Sequence, residues 1–172
     1  MRPGVYLHCL EICAERDGLS PPQLVPVSLA DVIAVQSELS MTLPGAYEEF
    51  LVTVGVGEEH GGLGVWFHLD LGRTGNLLEA NEGLAEAHGL PSPKRFLAIY
   101  ESRGEGYYGF AARRGGRYRE QVSFYDLDSG EFEEVAGDLF EFLESNVDCN
   151  EREIEIAESR YQNALQQSRG EA

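Results

Sequence analysis

The stretch Met41-Thr-Leu-Pro-Gly-Ala-Tyr-Glu-Glu-Phe-Leu51 decides how the rest of the chain is read. Pro44 has no backbone donor and suits a first helical turn, where that donor would be unpaired anyway. Tyr47, Phe50, Leu51 and Val54 follow at i, i+3, i+4 and i+7, the spacing of one buried helical face, and Gly55 and Gly57 end the helix. Upstream, Ser28 stands three residues before Asp31 and opens the stripe Leu29, Val32, Ile33, Gln36 and Leu39, which predicts a capped amphipathic helix. Before it, Pro21, Pro22 and Pro26 and the lack of a sustained period make residues 1–28 an N-terminal extension, a short helical or extended lead followed by a linker.

Downstream, Leu63 to Leu69 is a short apolar run containing Trp66 between glycines, which suits a buried strand. Asn76 caps a helix through Leu77, Ala80, Leu84, Ala85 and His88, stopped by Gly89 and Pro91. From Phe96 the period becomes that of strands, with Phe96–Tyr100, Tyr107–Arg113, Arg119–Leu127 and Phe132–Val135 separated by turns at Gly115-Gly116 and Ser129-Gly130. Asp138 then caps a helix whose Leu139, Phe142, Leu143 and Val147 share a face, and Asn150 starts a last, charged helix. Helices at both ends of a strand meander predict an α+β fold, an antiparallel sheet of about four to six strands flanked by helices. The domain spans residues 29–148, with a charged helix or tail over 149–172 whose stripe Ile154, Ala157, Tyr161 and Leu165 either docks on the domain or pairs with another chain.

Thirty acidic against thirteen basic residues give a net charge of −17. Such a surface repels phosphates, which excludes direct nucleic-acid binding and favours a basic protein partner. Glu11, Glu15 and Asp17 interrupt any apolar leader, no stretch approaches a membrane span, and Cys9, Cys13 and Cys149 are too sparse for a disulfide framework. A cytoplasmic protein with reduced thiols, no membrane association and an open oligomeric state is expected.

No constellation carries catalysis. Gly104, Gly106 and Gly109 have the G-x-G-x-x-G spacing, yet a strand and not a helix follows them, so a hairpin turn is the better reading and no cofactor is expected. Cys9-x₃-Cys13 lacks a second pair for zinc, and His60, His68 and His88 are scattered, so no metal is expected. Adjacent Glu48 and Glu49 point apart on a helix and cannot flank one substrate. Arg113, Arg114, Arg117 and Arg119 make a basic hairpin end that either grips an acidic group, stays solvated or pairs with the chain's own glutamates. From Asp126 to Glu158 thirteen acids face only Arg152, a net of −12. Such a face either solubilises the protein or mimics phosphates in the basic groove of a partner.

The pattern Leu43, Pro44, Tyr47, Phe50 and Leu51, followed by a glycine-rich turn, Trp66, the Glu105-Gly106-Tyr107-Tyr108 segment, Phe124-Tyr125-Asp126 and Leu139 to Leu143, resembles the SUKH superfamily, the Smi/Knr-like group. The likeness runs roughly from Leu29 to Val147, with Val56-Gly57-Glu58 replacing the usual Asn-Gly-Gly. It implies a non-enzymatic binding domain, with the signature residues shaping the fold. It further implies an immunity protein that binds and neutralises a polymorphic, basic, nuclease-type toxin, or else a regulatory scaffold. On the immunity reading, Glu131, Glu133, Glu134, Glu141, Glu144 and Asp148 are the partner-binding residues.

Overall fold

The computed structural model describes residues 1–59, 65–69, 76–102 and 106–170, the side chains of residues 102, 169 and 170 excepted. Its elements run α1 (Pro3–Asp17), β1 (Gln23–Val25), α2 (Leu29–Leu39), α3 (Gly45–Thr53), β2 (Val56–Glu58), β3 (Val65–Trp66) and α4 (Leu77–His88). They continue with β4 (Phe96–Ser102), β5 (Gly106–Arg113), β6 (Arg117–Asp126), β7 (Phe132–Ala136), α5 (Leu139–Asn146) and α6 (Glu151–Gly170). All seven strands form one sheet in sequential order, each pair antiparallel, as the strand-period reading requires of β4 to β7. The fold is α+β, an antiparallel sheet flanked by helices. The three strands beyond the expected meander, β1 to β3, have two or three residues each, too few to carry a period.

Helix starts follow local chemistry. Ser28 accepts from the Asp31 N–H at 3.2 Å and its hydroxyl donates to the Asp31 carboxylate at 2.6 Å. Asn76 accepts from the Leu78 and Glu79 amides, and Asp138 accepts from the Glu141 amide. Asn150 and Glu153 cap α6 reciprocally, each side chain accepting from the other's N–H at 3.1 and 2.9 Å. Each such cap contributes about 1 kcal/mol.

The main core joins α1, α2, α3 and α5 to one sheet face, where Leu97, Ile99, Phe110 and Val122 meet Tyr47, Phe50, Leu51 and Phe142. On the other face Phe96, Ala98, Tyr107 and Tyr125 form a smaller cluster against Leu90 and Leu84. A bulge in β4 lets Ile99 and Tyr100 together oppose the single Tyr108, since Ala98 pairs with Gly109 and Tyr100 with Tyr108. Strict alternation would send Tyr100 to the Ala98 face; the extra residue returns it to the main core beside Ile99.

Three expectations change. In α2 only Val32, Val35 and Leu39 are buried, while Leu29 and Ile33 are 61% and 56% exposed, because α2 packs chiefly on α3 and covers one narrow stripe. The apolar run around Trp66 forms only Val65–Trp66 among the described residues; Leu63 and the flanking Gly61, Gly62 and Gly72 lie outside them, and Leu69 is buried without being in a strand. The lead before residue 28 is a four-turn helix plus the edge strand β1. Tyr6 and Leu10 of α1 enter the main core, while Val5, Cys9 and Ile12 pack with Ala157, Ile154 and Tyr161 of α6. A helix covered on two sides keeps only a narrow polar strip, here His8, Glu11 and Glu15, so its period is faint. The same contact docks the α6 stripe on α1.

Two glycines make a test. A side-chain carbon on Gly109 would land on the Leu97 carbonyl, whereas one on Gly83, exposed in α4, meets nothing. Gly109→Ala is therefore expected to lower unfolding free energy by at least about 2 kcal/mol. Gly83→Ala should raise it by roughly 0.5–1 kcal/mol. Urea titrations of both variants check the pair.

Candidate functional site

The family-type signature residues are all interior. Leu43, Pro44, Tyr47, Phe50, Leu51 and Trp66 are buried, with Trp66 ring centroids 4.3 Å from Phe50 and 4.8 Å from Tyr100. Trp66 in turn reaches a carboxylate absent from the sequence reading: Glu59, which is only 6% exposed. Its Oε1 accepts from the Tyr6 hydroxyl and, at 2.9 Å, from the Trp66 indole N–H, and its Oε2 accepts from the Tyr100 hydroxyl at 2.9 Å. Three donors from α1, β3 and β4 thus converge on one buried anion, the condition under which such a group is tolerated. Nothing in the local pattern around Glu59 distinguishes it from the neighbouring Glu58. Asn81 does similar work for α4: its amide donates to Leu77 O and Ala98 O and accepts from the Ala98 N–H, each at 2.8 Å.

The surface carries an acidic and a basic group of residues, which adjoin where Glu134, Arg95 and Arg119 line one shallow cavity. Glu131, Glu133 and Glu134 lie on or beside β7, the edge strand that follows β6, and are exposed without an ion pair among the described residues. The other three acids are exposed but engaged: Glu141 accepts from the Gly137 N–H at 2.7 Å, Glu144 from the chain's terminal ammonium at 2.9 Å, and Asp148 from Arg16 at 3.1 Å. At one end of the sheet stand Lys94, Arg95, Arg113, Arg114, Arg117 and Arg119, all exposed, and none forms an ion pair among the described residues. The arginine hairpin therefore does not pair with the glutamates of β7, α5 or α6. Its tip is braced, since the Thr42 N–H donates to Gly116 O at 2.8 Å and the Tyr118 N–H to Thr42 O at 3.1 Å. Gly115 and Gly116 take φ of 91° and 69°, which suits glycine.

Of the glycine motif, Gly104 and the adjoining Glu105 lie outside the described residues, and Gly106 and Gly109 are strand residues pressed against the carbonyls of Tyr125 and Leu97. They allow strands to approach and shape no phosphate cradle. His60 lies outside the described residues, and His8 pairs with Glu11 one turn along α1 at 2.7 Å. Among the described residues no group of three or more His, Cys, Asp or Glu is arranged to hold a metal ion. No helix is long and apolar enough to cross a membrane, again among the described residues. A cavity of about 570 Å³ opens between the N-terminus, α5 and α6, lined by Arg2, Val5, Phe140, Ile154 and Tyr161 among others. The three cysteines, 136 residues apart at the extremes of one pair, come together where α1 meets the start of α6.

A model of the SMI1 / KNR4 family (SUKH-1) matches residues 26–145 of the chain. The chain belongs to this family. The match begins just after β1 and closes within α5, so it takes in β2 to β7 with α2 to α5, and α1, β1 and α6 lie outside it. A comparison with curated proteins finds no match. Leu43, Pro44, Tyr47, Phe50, Leu51 and Trp66 of this SUKH-1 member all sit in the core, so these positions serve the scaffold.

The core network makes two measurable claims. Glu59→Leu leaves three buried donors unpaired and should cost at least about 3 kcal/mol in urea unfolding. The Tyr47 hydroxyl is buried with no hydrogen-bond partner among the described residues, so Tyr47→Phe should be neutral or stabilising by up to about 1 kcal/mol.

Burial, and for two of them the Glu59 charge, raises the ionisation of Tyr6, Tyr47, Tyr100 and Tyr118 above the ordinary tyrosine value. The unfolded chain releases these protons from about pH 10 while the folded chain keeps them. Their contribution to stability is complete below that pH and lost as pH rises above it. Urea midpoints should fall above about pH 10, less steeply in Tyr47→Phe.

Proposed function

We propose that this SUKH-1 protein is an immunity protein that binds a basic toxin domain in the cytosol and blocks it sterically and electrostatically. The observation that carries the reading is the exposed, unpaired acids Glu131, Glu133 and Glu134 on the β7 edge of a family scaffold whose members act as toxin-immunity or regulatory domains. Glu141, Glu144 and Asp148 add exposed acids on α5 and its C-terminal link. Acids on a rigid strand present charge at fixed spacing, which steers a cationic groove during encounter and sets its register on docking. The edge strand also has free backbone groups on its outer side, so strand addition by the partner is compatible with this face. Catalysis is not part of the reading.

The unpaired arginine tip favours a second reading, a Smi/Knr-like scaffold that holds an endogenous protein, because it offers a surface of opposite sign that a cationic groove does not use. A pull-down from native lysate at low and then high salt, read by mass spectrometry, separates the two. The immunity reading expects a basic toxin domain that salt releases, and at least a tenfold loss of binding in the Glu131→Lys/Glu133→Lys/Glu134→Lys variant. Capture that ignores this variant but fails in Arg114→Glu/Arg117→Glu supports the scaffold.

A further inference from the structure

Helix α6 is held on α1 by interactions that lie outside the matched family region. Ile154, Ala157 and Tyr161 pack on α1, Tyr161 lying over Gly4, where a side-chain carbon would collide with the ring. Arg160 pairs with Glu15 at 3.1 Å, and Arg16 reaches Asp148 and Glu153 at 3.1 and 3.3 Å. Exposed pairs of this kind contribute little and weaken with salt. At the hinge between α5 and α6 lies a thiol pair. Cys13 Sγ is 3.2 Å from Cys149 Sγ, and the Cys149 thiol also reaches the Cys9 carbonyl at 3.6 Å.

We propose that Cys13 and Cys149 are a disulfide-forming pair that fastens α6 to α1 when the protein meets an oxidising small-molecule disulfide. The sulfurs need to close by only about 1 Å to reach bonding distance, within the reach of a side-chain rotation on the irregular segment carrying Cys149. Cys149 is partly exposed, whereas Cys9 and Cys13 are buried, so the order of events follows. The Cys149 thiolate attacks one sulfur of oxidised glutathione, forming a mixed disulfide and releasing one reduced glutathione. Cys13 then attacks the Cys149 sulfur, the protein disulfide forms, and the second glutathione leaves as its thiol. Two thiol protons pass to the two departing glutathiones, and the electrons of the protein pair reduce the added disulfide. Cys9 remains a thiol.

Burial pushes Cys149 up to about 11 and Cys13 up to about 12. Cys9 and Arg16 on α1, Glu153 on α6 and Asp148 on the link surround the pair, and of these charges only Arg16 favours the thiolate. The exchange is therefore slow at neutral pH and accelerates roughly tenfold per pH unit as long as the pH stays below the raised Cys149 value. The closed loop spans nearly the whole chain, the arrangement in which a cross-link restricts the unfolded state most.

The test uses the full chain, reduced, then incubated in oxidised glutathione at mildly alkaline pH, with free thiols blocked before peptide mapping. The expected result is loss of two hydrogens in intact mass, a Cys13–Cys149 peptide, Cys9 recovered as a blocked thiol, and a melting temperature raised by on the order of 5 °C. Cys149→Ser should abolish the cross-link and the shift, while Cys9→Ser should keep both. Because the reduced and oxidised wild-type chains are compared directly, the result does not depend on a variant folding. A link through Cys9, a persistent glutathione adduct on Cys149, intermolecular dimers, or three free thiols would each overturn the proposal.

Discussion

The Glu59 carboxylate, buried directly after β2 and holding the Tyr6 and Tyr100 hydroxyls and the Trp66 indole, is the constraint on which the remaining structure depends. A buried anion is tolerable only when its lone pairs are met, and here the donors come from three elements far apart in sequence. The bulge in β4 exists in the service of this arrangement, since without the extra residue Tyr100 would face away from Glu59. α1 is bound to the sheet by the same group, through Tyr6. A helix outside the matched family region thereby shares a hydrogen-bond network with the family tryptophan.

Around that interior the surface is divided by charge. The acids of β7 and α5 and the arginines of the β5–β6 hairpin form no ion pairs with each other among the described residues, although Arg119 and Glu134 line one cavity. A protein of net −17 would gain stability by bringing its few cations to its acids, yet six of them at one end form no ion pair among the described residues. Surface pairs are worth so little that this arrangement costs the fold almost nothing. It leaves two charged surfaces available for recognition.

Much of the scaffold was legible along the chain because its signals are local. The helix from Gly45 is marked by Pro44 and an uninterrupted apolar spacing, the caps at Ser28, Asn76, Asp138 and Asn150 act within three residues, and the strands from Phe96 onward are long enough to show a period of two. The exposure of Leu29 and Ile33 was not legible, because an apolar stripe says that a helix can be covered and not how wide its neighbour is. α1 was not legible for the opposite reason: covered on two sides, it keeps only the narrow polar strip of His8, Glu11 and Glu15 to mark its period. The acidic residues were visible as composition, but their division into the unpaired Glu131, Glu133 and Glu134 and the engaged Glu141, Glu144 and Asp148 depends on what lies across from each.

By itself, then, the sequence determined the α+β class, the antiparallel meander, the family pattern and the sign of the protein's charge, all of which follow from neighbours within a turn, a strand or a sum over residues. Only the tertiary structure decided that Glu59 is the buried anion, that Tyr100 turns inward to meet it, and that Cys13 and Cys149 touch across 136 positions. The physical reason is one of range. Propensity, capping and periodicity act over a few residues, whereas burying a charge or bringing two thiols together depends on where distant segments pack, and packing is set by the whole core at once.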